Sequence, residues 1–254
     1  KNKSGDIYDI KELLDAYLTF GGMPSIADVG LELDKVSIVL DGIYSSVVMR
    51  DILEREKQKG RRQITDSYLL RKITMFLADN IGNTTSVTSI ANTLLNEKLI
   101  DNSFKNSKSK PAIQTVQSYI LGLLEAYVFY EIKRYDIKGK EYLRTLGKYY
   151  IADIGLRNYL LGFKDADRGR IIENIVYFEL LRRGYNVSIG KIGEREIDFI
   201  VTDINTKKYI QVTESMNSQN TREREFAPFY KINDNYEKII ITNDEHDYGQ
   251  DGIK

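Results

Sequence analysis

Asp198 in "REIDFIVTD" and the triplet Gln211-Val212-Thr213 in "KKYIQVTES" are an acid and two polar residues on consecutive strand-like segments. Residues of this kind can do phosphodiester chemistry. Hydrolysis needs an activated water and a cation on the phosphate oxygens, and Mg²⁺ prefers hard oxygen ligands such as carboxylates. Adjacent strands carrying Asp198 and Gln211 could present both side chains to one such ion. Strand side chains alternate, so Gln211 and Thr213 share a face while Val212 and Glu214 take the other. Glu173, on the preceding helix, could add a third ligand. An acid at a strand end also serves as an ordinary cap or ion-pair partner, with Arg195 or Lys208 as its neighbour.

The elements that must position these residues follow from hydrophobic period. "RGRIIENIVYFELLRRG" predicts a helix with Ile171, Ile172, Ile175, Phe178 and Leu181 inward, closed at Gly184. "YNVSIGKIG", "REIDFIVTD" and "KKYIQVTES" read as strands, "TREREFAPFYKI" as a helix and "EKIIITND" as a strand, which makes residues 165–254 an α/β unit. Arg222 and Arg224 on the later helix could lend a cation to the site.

Residues 1–62 read as a helical segment, broken at "FGGMP", with a second helix expected from Leu33 to Lys57. Residues 63–164 give three helices and then an alternating hairpin, "VFYEIKRYDIKGKEYLRTLGKYYIAD", the order of a winged helix. The helix opening at Pro111 takes the recognition position that enters the DNA major groove in such domains. Lys105, Lys108 and Lys110 precede it, and Lys133, Arg134, Lys138, Lys140 and Arg144 lie on the hairpin, where phosphates of double-stranded DNA would be met. Gln114 and Gln117 could reach base edges. Winged helices also serve as protein-contact modules, and the fold does not choose between these roles.

Lys+Arg and Asp+Glu balance at 37 each over 254 residues, so nucleic-acid or membrane attraction must come from local clusters. With no Cys and one His, at His246, thiolate zinc sites and multi-His metal sites are excluded, and a Ser-His-Asp triad is disfavoured. No apolar run reaches the roughly 18 residues of a membrane helix. A cytoplasmic protein without a membrane partner is expected. The chain lacks an initiator Met and reads as a piece of something longer.

"ENIVYFELLRRGYNV", "EREIDFIV" and "YIQVTESM" resemble the PD-(D/E)XK nuclease-like core, in which a helix Glu, a strand Asp and a Glu-x-Lys triplet hold metal and position water. With "YLTFGGMP", "GKYYIADIGLRNYLLG" and "TREREF...YKINDNYEKIIIT", nearly the whole chain resembles the C-terminal region of bacterial and archaeal AAA-family ATPases. The resemblance implies an α+β multidomain fold: the end of an ATPase lid, a winged helix and a restriction-endonuclease-like domain. Glu173 and Asp198 match the nuclease pattern in type, but Gln211 and Thr213 stand where Glu and Lys belong. Losing that Lys removes an electrostatic contribution often worth several kcal/mol of barrier. The expected function is a non-catalytic module contacting DNA, with protein–protein contact to the ATPase's own domains or a partner, and weak metal-dependent cleavage, as alternatives. No G-x-x-x-x-G-K-[ST] occurs, so ATP would belong only to a parent domain outside this sequence.

Overall fold

The computed structural model describes residues 9–54, 66–96, 113–163 and 167–254. Lys105, Lys108 and Lys110 lie outside the described residues. The chain combines helices with an open β-sheet and divides into two compact units. The first comprises Lys1–Asn80, Val87–Tyr130 and Ile151–Asp165; the second comprises Ile81–Ser86, Glu131–Tyr150 and Ala166–Lys254. This grouping differs from the three segments read in the sequence. The segment up to 62 and the three following helices fall in one unit, and most of the expected wing hairpin belongs with the C-terminal sheet. Among the described residues no helix is long and apolar enough to cross a membrane.

In the first unit, α1 (Ile10–Phe20) ends at Gly21, whose φ of +78° reverses the chain, and Pro24 opens α2 (Pro24–Val29). Ile26 packs with Val36 and Leu40 of α3 (Leu33–Ile43). The single helix expected from Leu33 changes register: Tyr44–Asp51 is π-helical. Ser46 there returns its hydroxyl to the Gly42 carbonyl at 2.6 Å, a back-bond that loosens the α ladder one turn after a glycine. Next come α4 (Ser67–Asp79), capped by Asp66 accepting from the Leu69 N–H, then α5 (Val87–Asn96) and α6 (Ile113–Glu125), which pack on one another.

Helix α7 (Ile154–Leu161) has no apolar stripe and was not expected as a helix, because nearly all of it is buried. Its polar residues finish other helices. Asn158 Nδ2 donates to the Leu18 and Thr19 carbonyls at the end of α1, and Arg157 Nε to the Ala78 carbonyl near the end of α4. Asp153 caps α7 through the Leu156 N–H and accepts the Gly22 N–H at 2.7 Å. "FGGMP" and "ADIG" thus form one lock.

The second unit is built on a six-stranded sheet, order β2-β1-β3-β4-β5-β6. Its strands are β1 (Phe129–Asp136), β2 (Glu141–Ile151), β3 (Asn186–Ile192), β4 (Arg195–Thr202), β5 (Lys207–Val212) and β6 (Glu237–Ile241). The expected wing is therefore a part of this sheet: β1 runs parallel to β3, with Arg134 opposite Ile189. Helix α8 (Arg168–Arg182) packs against β3, β4 and β5, where Tyr177, Tyr150 and Phe199 form a cluster of three mutually contacting rings. Helix α9 (Gln219–Phe226) supplies Phe226, which joins Phe229, Ile200 and Tyr209 in a second apolar cluster. Each outer edge strand is bridged at one point. Thr85 exchanges two backbone bonds with Gly147 of β2, and Lys254 does so with Lys238 and Ile240 of β6.

Candidate functional site

The inward stripe of α8 is Ile171, Asn174, Tyr177 and Leu180, with Glu173 also buried, whereas Ile172, Ile175, Phe178 and Leu181 are half-buried. The expected stripe was displaced because polar Asn174 and Glu173 sit among the inward positions. That rotation brings Glu173 to the sheet. Glu173, Asp198, Gln211 and Thr213, the four residues picked out in the sequence, line one cleft of about 960 Å³. Glu196 and Glu225 line it too. Glu214, expected to face away, also does so: β5 ends at Val212, and the alternation rule does not hold past the strand. Its carboxylate pairs with Arg168 at 3.1 Å.

Arg170, Arg195 and Arg224 also line the cleft, but the cation that three of its carboxylates meet is Lys148 of β2. Its Nζ lies 2.9 Å from Glu173, 2.8 Å from Glu196 and 3.7 Å from Asp198, and only 5% of the side chain is exposed. The Tyr150 hydroxyl, two residues along the same strand, donates to Glu173 Oε1 at 2.5 Å. Asp198 accepts from the Val212 N–H at 2.9 Å, joining β4 to β5. Gln211 is held at both ends: its Oε1 accepts from the Asp198 N–H at 2.7 Å and its Nε2 donates to Glu225 at 3.0 Å. Thr213 Oγ1 makes a long contact to the Ser215 carbonyl. Arg224 pairs with Glu225, and Arg222 donates to the Met216 and Asn217 carbonyls, so neither offers its charge to Asp198.

Burial opposes the charge on Lys148, but Glu173, Asp198 and Glu196 outweigh it and hold the ammonium above its ordinary range. Burial also pushes Asp198 up to about 7, with repulsion from Glu173 adding to it and Lys148 partly offsetting it. Burial and the Glu173 charge raise the Tyr150 phenol well above its usual value. The cluster therefore holds a fixed ammonium, a neutral phenol and an Asp that binds a proton near neutrality.

A divalent cation does not fit this arrangement. The carboxylates that would bind it converge on Lys148, the Gln211 oxygen is committed to a backbone N–H, and among the described residues no group of three or more acidic or His side chains is placed to hold a metal. Asp198 and Gln211, the expected metal pair, instead bond to backbone across β4 and β5. Of the neighbours expected for Asp198, Lys208 pairs with Glu237.

The shift of Asp198 has a sign. Between its unfolded range near 4 and about 7 the folded protein holds a proton that the unfolded chain releases, so this residue's contribution to stability falls as pH rises. Asp198→Asn removes that dependence. The stability difference between variant and parent should move in the variant's favour from pH 5 to pH 8, by up to about 1.4 kcal/mol per pH unit. Urea unfolding at both pH values measures it, and a constant difference would show that Asp198 ionises normally.

The expected nucleic-acid residues divide between the units. Gln114 and Gln117 lie on the exposed side of α6 in the first unit. Lys133, Lys138 and Lys140 are exposed in the second, but Arg134 is turned inward, its side chain 14% exposed and 3.9 Å from Glu196. His246 is exposed and edges Tyr248.

Sequence reasoning passed over Lys148, Tyr150, Glu196 and Glu225. Two of them carried a signal. Glu196 stands two residues before Asp198 on one strand, and Lys148 interrupts the aromatic run "GKYYIAD".

The family model described as Domain of unknown function (DUF8612) matches residues 11–167. An uncharacterized protein of Haemophilus influenzae is 36% identical over 255 residues, covering 100% of this chain and 58% of its own length. An uncharacterized protein of Methanocaldococcus jannaschii is 30% identical over 250 residues, covering 93% of this chain and 51% of its own length. The chain spans about half the length of these curated relatives. No solved structure matches.

Proposed function

The chain belongs to the DUF8612 family, and we propose that it is a DNA-contacting, non-cutting module of a longer protein. The observation that carries the non-cutting part is the Lys148 ammonium among Glu173, Glu196 and Asp198. An ammonium supplies positive charge to the carboxylates, one unit where a divalent metal would bring two, and it has no open coordination position on which to activate water. Exposed Lys133, Lys138 and Lys140 on the hairpin, and Gln114 and Gln117 on α6, support the contact with DNA.

On this reading the second unit is a PD-(D/E)XK-like domain that has exchanged its cation for a side chain, and the first carries the helices of a winged helix. The longer protein is an AAA-family ATPase, as the resemblance of "YLTFGGMP" and "GKYYIADIGLRNYLLG" implies. Chains about twice this length among the relatives leave room for a nucleotide-hydrolysing part.

Two measurements test this. Supercoiled plasmid should stay intact with Mg²⁺ or Mn²⁺. Cleavage abolished by Asp198→Ala would overturn the non-cutting reading. Duplex DNA should bind at low salt and weaken at least tenfold when Lys133, Lys138 and Lys140 are changed to Glu. Arg134 is left intact, because a carboxylate there would meet Glu196. No duplex binding by the parent protein would favour a protein-contact module, a reading to which exposed Ile10, Leu13 and Ile38 on α1 and α3 also point.

A further inference from the structure

We infer that one face of the second unit's sheet binds single-stranded nucleic acid, stacking bases on Tyr142 and Tyr236 and holding phosphates on Lys138, Lys140 and Lys207. This rests on the nucleic-acid reading above and names the form of nucleic acid this surface takes.

Lys207, at the start of β5, lies over three tyrosine rings, with its Nζ 4.8 Å from the centroid of Tyr209, 5.1 Å from Tyr236 and 5.9 Å from Tyr135. Tyr142 meets Tyr135 edge-on at 5.2 Å, and Tyr236 meets Tyr209 edge-on at 6.5 Å. Tyr209 is fully buried and fixed by donating its hydroxyl to Asp234 at 2.6 Å. The rings are thus held by one another and by the sheet, yet Tyr142 is 61% and Tyr236 49% exposed. A platform that is ordered before binding loses little side-chain freedom on binding.

Lysines surround this platform. Lys138 and Lys140 are exposed in the β1–β2 turn, and Lys140 is close enough to Lys207 to repel it. The carboxylates here are already engaged: Asp136 accepts the Lys138 and Gly139 N–H groups, and Asp234 accepts from Tyr209. Glu141 precedes Tyr142 and by strand alternation points to the other face. Lys207 lies over ring faces and feels the Asp234 charge but forms no ion pair among the described residues, so its ammonium is open to a phosphate. The combination of stacking rings and cations is the one that single strands require, because a duplex hides its base faces in its own stack.

Fluorescence anisotropy with labelled dT15, U15 and a 15-base-pair duplex, on the full chain, tests this. The single strands should bind more tightly than the duplex, with a salt slope of about −2 if the three lysines neutralise about three phosphates. Comparing dT15 with U15 separates DNA from RNA as the source. Tyr142→Ala with Tyr236→Ala should weaken single-strand binding about tenfold for each ring removed, and leave duplex affinity unchanged. Both side chains are at the surface, and circular dichroism checks that the variant folds. Duplex bound as tightly as single strands, or single-strand affinity unmoved by the double variant, would overturn this inference alone. Binding of neither form would overturn the DNA-contact reading with it.

Discussion

Lys148→Met is expected to destabilise the protein by about 3–5 kcal/mol at pH 8, the cost of leaving buried charges without their partner. Glu173, Glu196 and Asp198 all face the Lys148 ammonium, within 2.9, 2.8 and 3.7 Å, and no arginine of the neighbouring helix replaces it. The loss should be smaller at pH 5. There Asp198, already pushed up to about 7, carries a proton, and the remaining repulsion is reduced. Millimolar Ca²⁺ or Mn²⁺ should raise the variant's Tm and leave the parent's unchanged, since a cation that binds only the folded variant stabilises it by mass action. Metal ions need oxygen ligands closer than an ammonium does, so the three carboxylates must draw in slightly to take one. Thermal melts with and without the ion are sufficient. A variant as stable as the parent at pH 8, or an equal response of both to metal, would show that Lys148 is not the counter-ion of this cluster.

Gly155→Ala should cost about 3 kcal/mol, at the upper end for an overpacked site, because the obstruction is backbone. A Cβ on Gly155 would stand 2.0 Å from the Phe20 carbonyl oxygen and 2.6 Å from its carbon. The added methyl therefore pushes α1 from α7, breaking the bonds from Asn158 to Leu18 and Thr19 and from Gly22 to Asp153. Gly30→Ala is the control for conformational strain: its φ is +83° with nothing within 4 Å of the added methyl, so it should cost only about 1 kcal/mol. Equal losses at the two positions in urea titrations would falsify the steric account of the lock.

How much of this was legible in the sequence depends on the distance over which each feature is decided. Strands β3 to β5 follow from local alternation and came out as read, and that alternation put Asp198 and Gln211 on strands that do become neighbours. Helix α7 was not legible, since a helix buried on every side has no stripe to display, and its Arg157 and Asn158 bond partners on α4 and α1. The stripe of α8 was read one position out. Its inward face carries Glu173 and Asn174 for the cleft, and polar residues there disguise the period.

The site shows the same division. The sequence by itself offered an acid on α8, an acid on β4 and an amide on β5 as candidates for one site, and determined that no lysine follows in the Gln211-Val212-Thr213 triplet. Only the tertiary structure decided that the cluster has a cation after all. Lys148 is 25 residues from Glu173 in the chain, on a hairpin that the pattern alone assigned to another domain. The pairing of β1 with β3 brings that hairpin into the sheet, and burial then binds the lysine to the carboxylates, because a charge withdrawn from water must find its opposite nearby.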